Sequence, residues 1–289
     1  LLMGPMYLHY FTQDASFPFY IQYGYHEEDV EMHLHADFSE LVIVMNGTAM
    51  HHVNNEAFFI KKGDVFVLNE GISHGYFDVN HLEICNIMFH PQIFRSLDSD
   101  IRTLTGFHAL FVIEPYLTQN KSFESHLRLS LDSFEAIHNL TDIIIEEYDK
   151  KRPGRKTILN AYFYILITTL SRLYTLPVNT EENAIINIAR SVSYIESHFT
   201  EPISITQLAE ISNMSTRHFS RIFSASYHMT PGNYILSLRM QHACVLLKTT
   251  KDTISEIAYR SGFNDSNYFS RQFQKMYHIS PRDYRKQKV

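Results

Sequence analysis

The chain has 289 residues with a net charge of −6, of which 45% are hydrophobic, 19% are charged and two are cysteines. Such a composition excludes a disordered chain, and two distant cysteines exclude a disulfide-stapled secreted scaffold. The longest apolar run, residues 161–170, is half of the roughly twenty residues that a membrane span needs, and no signal peptide is evident. We therefore expect a cytoplasmic protein without a membrane partner.

The charge is divided unevenly along the chain. Residues 184–289 contain 13 Lys and Arg against 7 Asp and Glu, whereas residues 1–183 contain 12 basic and 24 acidic residues. An acidic part joined to a basic part predicts that only the basic part meets a polyanion such as DNA.

The first part of the chain is typical of short strands separated by turns. Runs rich in β-branched residues are interrupted at Asn46-Gly47, at residues 62–64 and at residues 70–71, and the last run stops at Pro91. We read Asn46-Gly47 as the tight turn of a hairpin. Many short strands predict a small β-barrel or sandwich, which we assign to residues 1–122.

The hydrophobic period then changes from two to 3.6, which predicts a helical hairpin over residues 123–175. Its first helix begins near Phe123 and its second runs from about Thr157 to Tyr174, with a break at Pro153-Gly154. The first helix carries an apolar stripe composed of Leu127, Leu131, Phe134, Ile137, Ile144 and Tyr148. Intramolecular packing and a homodimer interface both explain the hairpin's apolar stripes, and the polar segment 176–183 is the predicted linker.

The basic part contains an internal repeat. FSRIFSASYHMTPGNY begins at Phe219 and FSRQFQKMYHISPRDY at Phe269, an offset of 50 with eight of sixteen positions identical. Each copy follows a shorter helix whose start has a capping-box pattern, Ser204 with Gln207 and Thr253 with Glu256. Breaks at Ser212-Asn213 and at Gly262 separate the two helices of each unit. Residues 184–289 are therefore predicted to be all-α, with two helix-turn-helix units joined by one long helix.

The second helix of each unit has an apolar face and a polar face. The phenylalanines at the repeat positions face the core, while side chains of the types that contact bases and phosphates lie on the other side. The predicted contacts with double-stranded DNA are Thr216, Arg217, Ser220, Arg221, Ser266, Asn267, Ser270 and Arg271. A solvated helix face explains one such pattern equally well, but two tandem copies in a basic domain favour DNA binding.

Residues 185–286 resemble the DNA-binding domain of the AraC/XylS family of bacterial transcription regulators. The resemblance rests on ISITQLAEISNMSTRHFSRIF, on LRMQHACVLL and on ISEIAYRSGFNDSNYFSRQFQKMYHISPRDYR. It implies a two-domain α+β protein with an N-terminal cupin (jelly-roll-like) barrel, which as a homodimer activates transcription by RNA polymerase in response to a small effector. Arg217 stands where some members have an aromatic residue, so the identity of the contacted base does not carry over.

The stretch HLHADFSELVIVMNG places His33 and His35 on one face of a strand, with Glu40 close behind. It resembles the first cupin motif, and residues 63–74 resemble the second, which adds His74. The resemblance implies that these four side chains hold a divalent metal such as Zn, Ni, Mn or Fe.

Three interpretations of this set remain open: a catalytic metal, a metal that orients an effector, or side chains that bind the effector or support the strands without metal. The fused DNA-binding domain argues against catalysis, so we expect no enzyme, and we favour the third interpretation. His33, His35, Glu40, His74 and Tyr76 are then the predicted effector-binding residues. Similarity to rhamnose-responsive family members and a Tyr-rich barrel favour a sugar or a sugar derivative as effector.

Overall fold

The computed structural model describes residues 5–12, 14, 17–54, 56–95, 100–117, 127–174 and 184–287. The chain divides into two compact units, Leu1–Ile186 and Asn187–Val289. The first is built around a sheet and the second is helical, so the predicted two-domain α+β fold is confirmed. The predicted linker, 176–183, lies outside the described residues. None of the described helices is long and apolar enough to cross a membrane.

One mixed sheet organises the described part of the first unit. Its strands are β1 Pro5–Met6, β2 Phe19–His26, β3 Val30–His35, β4 Ser39–Val53, β5 Glu56–Lys61, β6 Asp64–Leu68, β7 Ser73–Phe89 and β8 Leu127–Arg128. The long strands β4 and β7 pair with each other and change their outer partners halfway along. One half has the order β2-β7-β4-β6-β8, and the other has the order β1-β3-β7-β4-β5.

The two halves of this sheet enclose a common interior. Glu40, from the first half, lies 3.6 Å from His35 and 3.5 Å from His74, both of which belong to the second half. One apolar cluster likewise combines Val42 and Phe66 of the first half with side chains of the second. The sheet is therefore folded onto itself as the predicted barrel.

The predicted hairpin turn at Asn46-Gly47 is wrong, because β4 continues through it. The register between β4 and β7 shifts here, and Gly47 has a φ of 73°. A two-residue type I′ turn needs positive φ at both central residues, whereas here only Gly47 has it, so the chain forms a bulge and bends instead. A side chain at Gly47 would meet the carbonyl oxygen of His81 at 2.1 Å.

Residues 100–117, which the sequence assigned to the barrel, are helical. A 3-10 turn at Asp100–Thr103 is followed by α1 Thr105–His108, a π turn at Ala109–Ile113 and α2 Glu114–Leu117. The sequence predicted neither strands nor helices here, because the last strand-like run stops at Pro91 and short buried helices have no distinct apolar period.

The helical hairpin consists of α3 Leu131–Lys150 and α4 Arg155–Leu173. The predicted start of its first helix is wrong: Leu127 lies in β8, and Ser130 caps α3 by accepting a hydrogen bond from the backbone N–H of Ser133. Phe123 lies outside the described residues. Leu131 was expected in the core but is 79% exposed.

The hairpin covers the outer face of the barrel's first half. Phe163 of α4 packs against Phe19 and Phe89 with ring centroids 5.3 and 5.2 Å away, and the hydroxyl of Tyr23 donates to Asp142 of α3. This half of the sheet is thus buried on both faces. That explains why residues 41–45 of β4 are apolar without the usual alternation.

The second unit contains two helix-turn-helix pairs, and both follow the repeat. Its helices are α5 Ala184–His198, α6 Ile205–Ile211, α7 Thr216–Tyr227, α8 Pro231–Thr249, α9 Ile254–Arg260, α10 Ser266–Tyr277 and α11 Pro281–Lys286. In α7 and α10 the repeat phenylalanines Phe219, Phe223, Phe269 and Phe273 are fully buried, as predicted. The connecting helix α8 joins the two pairs and supplies core side chains to the second.

Local signals of the two turns were largely correct. Gly262 has a φ of 87°, and Asn213 occupies the corresponding place in the first unit with a φ of 52°. Thr253 and Glu256 form a complete capping box. The box at Ser204 is only half formed, because the side chain of Gln207 donates to the hydroxyl of Tyr194 instead of returning to the cap.

The contact between α1 and α4 provides a test of the fold. A Cβ at Gly106 would lie 1.9 Å from the carbonyl oxygen of Ser171, so we expect Gly106→Ala to lower the free energy of unfolding of the first unit. Overpacking of this kind costs about 1–3 kcal/mol. The matched control is Gly232→Ala in α8, where nothing lies within 4 Å of the added Cβ. Equal denaturation midpoints for the two variants would contradict the contact.

Candidate functional site

The first candidate DNA-contacting helix is α7. Its cap, Ser215, accepts a hydrogen bond from the backbone N–H of His218, which fixes the start of the helix. Thr216, Arg217 and Arg221 are exposed on the side away from the buried phenylalanines, and Ser220 is half-buried at the edge of that face. The two guanidinium groups lie one turn apart and are free to approach a nucleic acid.

The second candidate helix, α10, repeats this arrangement. The side chain of Asp265 caps it by accepting from the backbone N–H groups of Asn267 and Tyr268. Asn267 and Arg271 are exposed, whereas Ser266 and Ser270 are half-buried. The hydroxyl of Ser270 donates to the carbonyl oxygen of Ser266, so its proton is used within the helix. Each helix therefore offers the predicted residues on one face.

One residue of this face escaped the sequence analysis. Gln274 is exposed three positions after Arg271 and seven after Asn267, so all three share one side of α10. An amide at this position reads adenine through paired hydrogen bonds as readily as asparagine does. Its position seven residues after Asn267, which is two helical turns, was the signal in the sequence that predicts it on this face.

The second candidate site lies inside the barrel. His33 and His35 project from β3, Glu40 comes from the start of β4, and His74 from the start of β7, where it is directly opposite His33. Nitrogen atoms of the three histidines lie within 4.8 Å of one another. The structure thus brings together all four residues that the cupin resemblance implied.

The spacing of three of these ligand atoms matches that required by a tetrahedral cation. His35 Nε2 and His74 Nε2 are 3.1 Å apart, and Glu40 Oε2 lies 3.6 and 3.5 Å from them. Ligands bound at about 2.0–2.1 Å in a tetrahedron are separated by about 3.3–3.4 Å.

Electrostatics also favour a cation at this place. Glu40 is 2% exposed and its Oε2 has no hydrogen-bond partner among the described residues. Burial raises the pKa of Glu40 to about 8 and lowers the pKa of His35 to about 3, the latter with a contribution from His33. Neutral imidazoles offer lone pairs to a divalent metal, and Glu40 would join them as a carboxylate once the metal displaces its proton, so the residues fit the implied metal.

Tyr76, the remaining predicted effector-binding residue, joins the same interior. Its ring lies 5.7 Å from that of His74 in a T-shaped contact, and its buried hydroxyl has no partner among the described residues. Burial raises its pKa well above the usual value, so the hydroxyl stays protonated and able to donate. The interior therefore contains at least three buried polar atoms without a hydrogen-bond partner among the described residues, Tyr76 Oη, Glu40 Oε2 and His35 Nδ1.

His51 is a member of this cluster that the motifs did not indicate. It is fully buried on β4, and its Nε2 lies 3.2 Å from His74 Nδ1. Its place on the inner face follows from alternation with Ala49 and Val53, which are both buried in the barrel core. Strand phase was the signal in the sequence, but it was masked by the unrecognised bulge at residues 46–47.

A separate cavity of about 410 Å³ lies between the barrel and the hairpin. It shares none of the predicted effector-binding residues. Its lining comprises Phe17, Pro18, Phe19, His90, Gln92, Ile93 and Asn160.

Two helix-turn-helix units in a basic unit, together with a barrel that encloses a histidine–carboxylate centre, define a DNA-binding regulator with a ligand-binding domain. Family models agree with this class. Residues 208–287 match the helix-turn-helix domain model, and residues 18–148 match the model of the AraC-like ligand-binding domain. The chain belongs to the AraC family of transcription regulators.

Curated relatives show similarity over most of the chain. The transcriptional activator RhaS of Enterobacter sp. is 28% identical over 251 residues, which cover 87% of this chain and 86% of the relative. RhaS of Salmonella arizonae is 29% identical over 252 residues with the same coverage. Among solved structures, the C-terminal domain of the response regulator yesN from Fusobacterium nucleatum is 34% identical, with 33% of this chain and 93% of that one covered and a TM-score of 0.32.

The DNA-contacting face is tested by removing one arginine at a time. We expect Arg221→Ala and Arg271→Ala each to weaken binding to an operator by about 1–3 kcal/mol if the side chain contacts a base. Arg190→Ala is the control, since Arg190 is exposed on α5 and hydrogen-bonded to Asn187. Wild-type affinity in both variants, measured by fluorescence anisotropy at fixed salt, would show that another face meets the DNA.

Proposed function

We propose that this protein is a cytoplasmic transcription activator that responds to a sugar or a sugar derivative bound in its barrel, close to a divalent cation held by His33, His35, Glu40 and His74. The observation that carries the proposal is the pair of unsatisfied buried polar atoms, Glu40 Oε2 and Tyr76 Oη, in one interior. Buried polar groups without partners are rare and costly, and they are explained when a ligand completes them.

Each residue of the centre has a distinct part in this proposal. A bound cation would supply positive charge that attracts hydroxyl or carboxylate oxygens of the effector. Glu40 neutralises part of that charge, and the neutral imidazoles donate lone pairs. Tyr76 donates a hydrogen bond to an effector oxygen. His33 is the least buried of the three histidines at 8% exposed, so it is the one most accessible to an effector.

At the DNA, the two helix-turn-helix units of one chain are proposed to enter successive major grooves, which are about 34 Å apart. A homodimer then covers two direct repeats, and contacts with RNA polymerase activate transcription, as the activator names of the RhaS relatives support. The helical hairpin is the proposed dimer surface. Ile143, Ile158 and Ile165 support it, since these isoleucines are 42–50% exposed on α3 and α4.

Two other functions use the same features. A cupin enzyme fused to a DNA-binding domain would turn over a substrate at the histidine centre, but the curated relatives are transcription activators. A regulator whose barrel serves only for dimerisation would bind DNA equally well with and without any small molecule. The unsatisfied Tyr76 hydroxyl disfavours this last alternative, because a purely structural barrel gains nothing from it.

The cation is tested by elemental analysis of the full-length protein purified without a histidine tag. We expect about one divalent metal per chain in the wild type and a large loss in His74→Ala, since His74 lies at the centre of the set. His52→Ala is the control, because His52 is a half-buried neighbour whose ring packs against Phe77 instead. Metal-free wild-type protein that also fails to take up Zn²⁺, Ni²⁺, Mn²⁺ or Fe²⁺ would refute the cation.

The effector is tested by thermal unfolding of the full chain with pentoses, deoxyhexoses and uronic acids. A bound sugar at 100 times its dissociation constant should stabilise the protein by about 2.7 kcal/mol. We expect Tyr76→Phe to reduce this stabilisation, because it removes only the hydroxyl that lacks a partner. Asn160→Ala in the separate cavity is the control. Stabilisation lost in Asn160→Ala but kept in Tyr76→Phe would move the effector to that cavity.

A further inference from the structure

We propose that His51, which lies outside both cupin motifs, is a positioning residue that fixes the tautomer of His74 and so sets the affinity of the centre for its cation. The inference rests on the cation of the proposed function. His51 would contact His74, which is a ligand of the cation, but not the cation itself.

The geometry of His74 requires such a partner. Its Nε2 points at His35 Nε2, 3.1 Å away, and at Glu40 Oε2, 3.5 Å away, so Nε2 is the atom available to a cation. An imidazole that offers the Nε2 lone pair carries its proton on Nδ1. That N–H is buried and needs an acceptor, and His51 Nε2 lies 3.2 Å from it.

His33 also needs an acceptor for its Nδ1–H, and it finds one in the backbone. Its Nδ1 lies 3.0 Å from the backbone carbonyl oxygen of Glu31, which accepts a hydrogen bond from Nδ1–H and leaves the Nε2 lone pair free to bind. Histidine ligands of metals generally donate their second N–H to a carbonyl or carboxylate, which fixes the ring and its tautomer. In this barrel a carbonyl performs that role for His33, and a second histidine performs it for His74.

Packing holds His51 in the orientation this role needs. Its ring is stacked between Phe66, with centroids 4.6 Å apart, and Tyr76, with centroids 5.0 Å apart. The same ring meets His74 at 89°, edge to face. Because both faces of His51 are covered by aromatic rings, only its edge reaches His74, and rotation away from Nδ1 would break two stacked contacts.

The geometry also admits a second proton arrangement. In it, His51 Nε2–H donates to His74 Nδ1, and His74 Nε2–H donates to His35 Nε2. This series of hydrogen bonds gives both nitrogens of His74 a partner when no cation is bound. Binding of a cation to His74 Nε2 requires the opposite arrangement, in which His51 is the acceptor. His51 can thus donate to His74 Nδ1 or accept from it, and so allows His74 to adopt either tautomer.

The experiment compares His51→Phe and His51→Gln in the full chain. Phenylalanine keeps the stacked ring but removes the acceptor, whereas the amide oxygen of glutamine replaces it. We expect the Kd for Zn²⁺, measured by competition with a chromophoric chelator, to rise about 10–100-fold in His51→Phe. Removal of a residue that hydrogen-bonds to a metal ligand typically has an effect of this size. The Kd of His51→Gln and of the control His52→Phe should stay close to that of the wild type.

The outcomes separate this inference from the proposed cation. A wild-type protein that binds no divalent metal refutes both, whereas wild-type Zn²⁺ affinity in His51→Phe refutes only the role of His51. Equal loss in His51→Phe and His51→Gln also overturns it, because the acceptor would then be irrelevant.

Imidazole nitrogen NMR of the zinc-loaded wild type tests the same role without any substitution. We expect a protonated Nδ1 on His74 and an unprotonated Nε2 on His51. A protonated His51 Nε2 would overturn the assignment even if the variants fail to fold.

Discussion

The contact of Glu40 with His35 and His74 is the constraint around which the interior of the first unit is arranged. It joins the two halves of a folded sheet, because Glu40 comes from one half and both histidines from the other. A carboxylate in this interior is expensive, and burial accordingly raises its pKa. The barrel nevertheless surrounds it with neutral imidazoles and aromatic rings. Such an arrangement is poorly suited to stabilising a fold and well suited to receiving a charged or polar ligand.

In the second unit the functional polar groups are exposed, whereas those of the first unit are buried. Buried phenylalanines at the repeat positions fix α7 and α10, so their exposed arginines stand on rigid helices. α8 packs against the second pair through Met240, Ala243 and Leu247. The excess of basic residues in this part of the chain attracts the polyanion DNA.

The helical unit was predictable because its signals are local. Caps, turn glycines and the 3.6-residue period act within a few residues, and the repeat supplied each signal twice. The barrel depended on distant pairing. Nothing within a few residues of Gly47 distinguishes a bulge from a turn, since the difference is made by β7 pairing along the whole of β4. The helices over residues 100–117 were missed for the same reason, because their burial depends on α4.

The candidate sites show the same division. Of the eight residues predicted to contact DNA, five are exposed and three serines are half-buried at the edge of the same face, as helical spacing alone requires. The motifs identified His33, His35, Glu40 and His74, but not whether they bind a metal. That question depends on distances between strands, which bring three ligand atoms to 3.1–3.6 Å, and on His51, which strand pairing places behind His74. A motif specifies the ligands, whereas the surrounding sheet decides which nitrogen each imidazole presents and therefore what the site can hold.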